Sequence, residues 1–129
     1  MILIVDDTMD TCQLLRMVAK LVQIEGHCCS GGYAALEWLE HHRPDLIFLD
    51  LNMPDLSGLE VLRRIKADPG LRDLPVILHT ASDDPASHQS ARALGSYATL
   101  VKGNYQIREV TALMQKFVRP IPYPPPAAA

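Results

Sequence analysis

Leu46-Ile47-Phe48-Leu49 runs directly into Asp50-Leu51-Asn52-Met53-Pro54. Four consecutive apolar residues, two of them aromatic or β-branched, read as a short strand buried on both faces. Asp50 then emerges at the carboxyl end of that strand, and Pro54 rules out its continuation. A second run of the same kind, Ile2-Leu3-Ile4-Val5, delivers Asp6-Asp7 at its own end. In an open sheet of parallel strands the carboxyl edge is where ligands bind. Three carboxylates gathered there repel one another, and a hard divalent cation is the usual relief.

Working outward, five apolar runs alternate with helical patterns. Strands are expected at Ile2–Val5, His27–Ser30, Leu46–Leu49, Val76–His79 and Ala98–Val101, the second resting mainly on the alternation. Leu15, Val18 and Val22 recur at helical spacing, with Gly26 as the expected stop. Ala35, Leu36 and Leu39 mark a shorter helix ending before Pro44. Ser57-Gly58-Leu59-Glu60 fits a capping box that opens a helix carrying Leu59, Leu62 and Ile65. Asp84-Pro85 supplies an N-cap and first-turn proline for a fourth helix, which Gly95 closes. Ile107, Val110, Leu113 and Phe117 share one face of the last. Regular βα alternation with strands this apolar implies an α/β fold, a parallel sheet covered by helices.

Length and charge narrow the function. The 129 residues suit one domain. Twelve Lys and Arg against fifteen Asp and Glu leave a net charge of −3, which gives no general electrostatic case for nucleic acid or an anionic membrane. The chain opens on a strand rather than a secretory signal, and no apolar stretch approaches the roughly 20 residues that span a bilayer. A cytoplasmic location is the expectation. From Pro120 the chain turns rich in Pro and Ala, so residues 1–119 form the expected domain and 120–129 a disordered or polyproline tail. A docking peptide or a linker to a further domain is the sharper reading of that tail.

The remaining reactive side chains have mostly structural readings. Cys12, Cys28 and Cys29 are odd in number and lack CxxC spacing, a poor framework for a disulfide or a zinc site. Cys28 and Cys29 should face opposite sides of their strand, and all three read as buried, inert thiols. His79 reads as a packed core histidine, His41-His42 as solvated residues complementing a helix C-terminus, and Trp38 as a packing contact without a ligand role.

Two more positions fall at the same carboxyl edge: Thr80 after the fourth run and Lys102 after the fifth. A hydroxyl and an ammonium there could grip phosphoryl oxygens. Phosphoryl transfer needs positioning, charge neutralisation and a bridging metal more than covalent help from the protein. One Asp as nucleophile, two for a cation, a hydroxyl and an amine meet that need.

The ordered set Ile4-Val5-Asp6-Asp7, Asp50-Leu51-Asn52-Met53-Pro54-Asp55-Leu56-Ser57-Gly58, Thr80-Ala81 and Val101-Lys102 resembles the response-regulator receiver domain of two-component signal transduction, the CheY-like superfamily, over Met1 to Arg119. The resemblance implies a flavodoxin-like doubly wound (βα)5 fold with a five-stranded parallel sheet of order 2-1-3-4-5. It implies that Asp50 accepts a phosphoryl group from a histidine kinase or phosphotransfer protein. Asp7, Asp50 and the Asn52 backbone carbonyl would ligate Mg²⁺, with Asp6 acting largely through water. Lys102 and Thr80 would engage the phosphoryl group. A downstream protein would read the resulting change on the face of the fourth helix, fifth strand and fifth helix, with no direct contact to nucleic acid or membrane.

Two positions depart from the family pattern. Gly103 follows the lysine where proline is usual, so a trans bond and a differently shaped loop are expected. Thr99 stands where an aromatic residue usually swings with the threonine. Two other functions compete with phosphoacceptance. A small Mg²⁺-dependent aspartyl phosphohydrolase would need a second Asp two residues after the first, and Asn52 is there. A receiver fold kept as a non-phosphorylated binding scaffold suits Gly103 and Thr99 but not the complete acidic set.

Overall fold

The computed structural model describes residues 1–122; the expected tail from residue 123 onward lies outside the described residues. The chain alternates β1 (Ile2–Val5), α1 (Met9–Leu21), β2 (Gly26–Cys29), α2 (Gly32–Trp38), β3 (Leu46–Leu49), α3 (Gly58–Ala67), β4 (Val76–Thr80), α4 (Pro85–Leu94), β5 (Ala98–Val101) and α5 (Ile107–Phe117). All strand pairs are parallel, in the order β2-β1-β3-β4-β5. This is the expected doubly wound sheet.

Every residue of β1, β3 and β4 is buried, because both sheet faces are covered. Alternate side chains feed two separate cores. Leu3, Val5, Ile47, Leu49, Val76 and Leu78 pack with α2, α3 and α4 through Ala35, Leu39, Val61, Leu62, Ile65 and Ala91. Ile2, Ile4, Leu46, Phe48 and Ile77 pack on the opposite face with Leu15, Val18 and Ala19 of α1 and Val110 and Met114 of α5. Burial of this kind is worth roughly 25 cal/mol per Å² of apolar surface.

Several boundaries differ from those read in the sequence. The second strand starts at Gly26, one residue earlier than expected, and the fourth extends to Thr80. Gly26 is therefore not the stop of α1: Val22 caps that helix and Gln23 takes the left-handed turn, at φ 60°. Gly95 does close α4, at φ 109°, and Asp84 caps it by accepting from the Ala86 N–H. Half of the expected capping box forms at α3. Ser57 accepts from Glu60 N–H, but the Glu60 carboxylate turns to Arg63 and Arg64 instead of closing the box. Ile107 is exposed rather than part of the α5 core face. Past α5, Val118 is buried and the Ile121 N–H donates to Gln23 O at 2.7 Å, so the packed unit runs slightly beyond Arg119.

The cysteines are the main correction. Cys12 and Cys28 form a disulfide between α1 and β2, with Cα atoms 6.1 Å apart. Only Cys29 is a free, buried thiol, and burial pushes it up to about 11. Cys28 and Cys29 do face opposite sides: Cys28 meets the core under α1 and Cys29 the other core. The disulfide follows from Cys28 facing the helix that carries Cys12, a tertiary juxtaposition that linear spacing does not encode. Trp38 stacks between His27 and His42, with centroids 4.8 and 4.4 Å away, and His42 Nδ1 lies 2.9 Å from Trp38 O at the end of α2.

Candidate functional site

The sheet reverses its strand order at β1, which has β2 on one side and β3 on the other. The crevice beyond β1 and β3 is thus the topological switch point, where ligands bind in folds of this class. Val5 pairs with Leu49, so Asp6 and Asp50 leave adjacent strands at one level, and the Asp50 N–H extends the ladder to Val5 O at 3.0 Å. On the far side Thr80 pairs with Val101, and the Lys102 N–H donates to Thr80 O at 2.8 Å. Register alone brings the two halves of the site to the same rim.

Asp6, Asp7 and Asp50 each offer a carboxylate oxygen, and these three atoms lie within 4.8 Å of one another. Asp6 and Asp50 are buried, while Asp7 is exposed. Lys102 Nζ stands 2.8 Å from Asp6 Oδ2 and 3.3 Å from Asp50 Oδ2. The Asp50 contact is an aligned hydrogen bond; the closer Asp6 contact is a charge pairing off the hydrogen-bonding line. Burial opposes the Lys102 charge, but Asp6 and Asp50 together outweigh it and raise its pKa above the ordinary lysine value. The other oxygen of Asp6 accepts from Thr8 N–H at 2.8 Å, so Asp6 is occupied at both ends. Asp50 Oδ1 accepts from the Asn52 N–H at 3.3 Å. Thr80 is wholly buried, its hydroxyl oxygen accepting from the Ser82 N–H at 3.2 Å.

Three carboxylates and one ammonium leave two negative charges uncompensated, and oxygen donors suit a hard divalent cation. The donor set therefore fits the expected metal, and the cluster could hold one. A buried nucleophile-class carboxylate, a hydroxyl and an ammonium beside that cluster can receive and stabilise a phosphoryl group.

Three contributors have roles at the site that were not read from the sequence. Gly58 lies so close to the Asp50 loop that a Cβ would stand 2.0 Å from Asp50 O, and its N–H donates to Leu51 O at 2.8 Å. Asp55 caps α2 across the molecule, accepting from Gly32 and Tyr33 N–H at 3.2 and 3.1 Å. The bond from Tyr33 is the main cause holding its carboxyl below the ordinary value. The third is a pair of side chains, the buried His79 and the half-buried Tyr105, with Nε2 and the hydroxyl 2.7 Å apart. Burial first, then the Lys102 charge, push His79 down to about 4, with Asp6 opposing. A glycine four residues after Pro54 and at the start of a helix was the one available signal for Gly58; the other two depend on contacts over 22 to 26 positions.

The family model for the response regulator receiver domain matches residues 2–115. The chain belongs to that family. As a receiver domain it is a CheY-like module of two-component signalling. It is 40% identical over 103 residues to the cyclic di-GMP phosphodiesterase response regulator RpfG of Xanthomonas campestris, covering 78% of this chain and 27% of that protein. It is 35% identical over 101 residues to the polar-differentiation response regulator DivK of Brucella anthropi, covering 78% of this chain and 82% of that one. The chain thus spans about a quarter of the first relative and most of the second. Among solved structures, the Mn²⁺-bound form of response regulator Rcp1 matches with a TM-score of 0.79 at 28% identity, covering 98% of both chains. Among the described residues no helix of the receiver is long and apolar enough to cross a membrane.

Proposed function

We propose that Asp50 is the phosphoacceptor. An Asp50 carboxylate oxygen attacks the phosphorus of a phosphohistidine on a kinase or phosphotransfer protein; the P–N bond breaks and an acyl phosphate forms. The observation that carries this reading is the meeting of Asp6, Asp7, Asp50 and Lys102, from three strand ends, around one rim. Lys102 neutralises phosphoryl charge and the Thr80 hydroxyl donates to a phosphoryl oxygen. Asp7, Asp50 and the Asn52 carbonyl would hold Mg²⁺, with Asp6 acting through water, and the ion would supply charge neutralisation for the transfer. The Mn²⁺-bound Rcp1 relative supports a divalent ion of this class.

The receiver acts in the cytoplasm and catalyses only its own phosphorylation and dephosphorylation. It signals by altered contact with a downstream protein, through a groove between α4 and β5 lined by His88, Arg92, Ser96, Tyr97 and Thr99. New charge-assisted bonds at Asp50 bias the populations of that face.

Intact-mass measurement after incubation with acetyl phosphate and Mg²⁺ tests the reading. One stable phosphoryl adduct, lost in Asp50→Ala, is expected. Continuous donor consumption without adduct would make the protein a phosphohydrolase. No adduct and no consumption would leave a binding scaffold.

A further inference from the structure

Lys102 is the first residue beyond β5, and its side chain must reach back over the rim to meet two carboxylates. The segment that carries it is loosely built. Gly103 has φ 77°, and a Cβ there would meet nothing within 4 Å, so no packing restrains this position. Backbone bonds from Lys102 N–H to Thr80 O and from Asn104 N–H to Val101 O hold the turn at its start. At its far end the Gln106 N–H donates to Glu109 of α5. Between them, among the described residues, the side chain that ties the loop to the sheet is Tyr105.

Tyr105 packs against the core under α1 and α5 and places its hydroxyl 2.7 Å from His79 Nε2, with the rings edge-on at 5.4 Å. His79 is 2% exposed and sits on β4 immediately before Thr80. Its Nδ1 has no hydrogen-bond partner among the described residues. A leucine would avoid that unsatisfied atom, which carries a real cost when buried. A histidine here therefore does something an apolar residue does not, and the bond it makes goes to the loop bearing Lys102. The Lys102 charge is close enough to influence both rings.

We propose that the His79–Tyr105 hydrogen bond is a latch that positions Lys102 over Asp50, with His79 and Tyr105 as positioning residues for phosphoryl transfer. The proposal rests on Asp50 being the phosphoacceptor. The latch fixes the loop between Gly103 and Gln106 to the strand that presents Thr80. The ammonium and the hydroxyl are thereby held to one frame. Without it the glycine-containing loop samples positions from which Lys102 pairs with Asp6 alone or with water.

The test uses the full chain, acetyl phosphate and Mg²⁺, with the labelling rate read by intact mass. Tyr105→Phe keeps the ring and removes only the hydroxyl; it should slow labelling roughly three- to tenfold, the range a single hydrogen bond supports. His79→Leu should match it, and His79→Gln, which can still reach the hydroxyl, should recover part of the rate. In a Lys102→Ala background Tyr105→Phe should have no further effect, because the latch acts only through that lysine; general damage to the fold would persist there. Amide exchange at Gly103 and Asn104 should quicken in Tyr105→Phe. Wild-type labelling in Tyr105→Phe, an equal loss in the Lys102→Ala background, or unchanged exchange would each overturn the latch alone. A wild-type chain that takes no label overturns the phosphoacceptor reading, and the latch falls with it.

Discussion

At the scale of single residues, two side-chain positions constrain the site more tightly than their chemistry suggests. Gly58 is required by proximity: a methyl group would lie 2.0 Å from Asp50 O and 2.7 Å from Leu51 Cα, with backbone rather than a flexible side chain in the way. Gly58→Ala should cost about 3 kcal/mol or more, the upper range for overpacking, since the loop holding Asp50 must shift to admit it. Urea unfolding measures the loss, and a weakened Mg²⁺ response in the same variant would locate the damage at Asp50. His79 makes a prediction in pH. Burial and the facing Lys102 charge depress its folded pKa to about 4 from 6.5, against the pull of Asp6, while Tyr105 keeps its uncharged form bonded. Below 6.5 the unfolded chain binds a proton that the folded chain refuses, so stability is complete above about 6.5 and drains away as pH falls toward about 4. The full effect approaches about 3 kcal/mol, at about 1.4 kcal/mol per pKa unit. Urea midpoints of wild type and His79→Gln, compared from pH 7 to pH 4, should converge as the acid range is entered; parallel curves would remove His79 from the balance.

At the scale of elements, legibility follows burial. β1 and β3 could be read from their four-residue apolar runs, and β4 from the three apolar residues that open it, because both faces are covered. β2 is an edge strand of sequence Gly-His-Cys-Cys, with His27 exposed, so its side chains carry little pattern and its start is off by one. Asp6 and Asp50 were legible for a related reason: each is the first polar residue after a strand buried on both faces, and parallel pairing sends the ends of neighbouring strands, β5 with Lys102 included, to one rim. What linear order does not carry is which side chains meet across the layers. Cys12 and Cys28 illustrate this, since their pairing depends on α1 lying over β2. The helix lacks a side-chain bond at its Thr8 cap, and the disulfide fixes its first turn to the sheet instead. Closing a loop of 16 positions should stabilise the fold by about 3 kcal/mol, chiefly by restricting the unfolded chain. Reduction, or Cys12→Ser, should lower Tm by about 10 °C while leaving the molecule folded, because both cores are complete without the bond. Cys29 should resist alkylation in the native reduced protein, since its thiol is buried and pushed up to about 11. Equal Tm in the two redox forms would mean that the crosslink adds nothing to the packing around it.

At the scale of the whole molecule, the fold holds its charge in tension. Two separate cores pack both faces of β1 and β3, whose ends carry Asp6, Asp7 and Asp50 within 4.8 Å of one another, and Lys102 offsets only one of the three charges. The same closeness that destabilises the free protein makes the site ready for a divalent ion, so stability and ligation are two sides of one linkage. Mg²⁺ should therefore raise the unfolding free energy measured in urea, by about 2.7 kcal/mol at a hundredfold excess over its Kd and logarithmically beyond, and a chelator should return it to the starting value. Neutralising one ligand reverses the order of stabilities. Without the ion, Asp50→Asn should be more stable than wild type, since a buried carboxylate and its repulsion are removed while Lys102 keeps Asp6 as its partner. With saturating Mg²⁺, wild type should overtake it, because the variant has lost a ligand and gains little from the ion. The two titration curves must cross. Curves that rise in parallel would show that the ion binds elsewhere on the acidic surface, and would separate the carboxylate cluster from the metal it is shaped to hold.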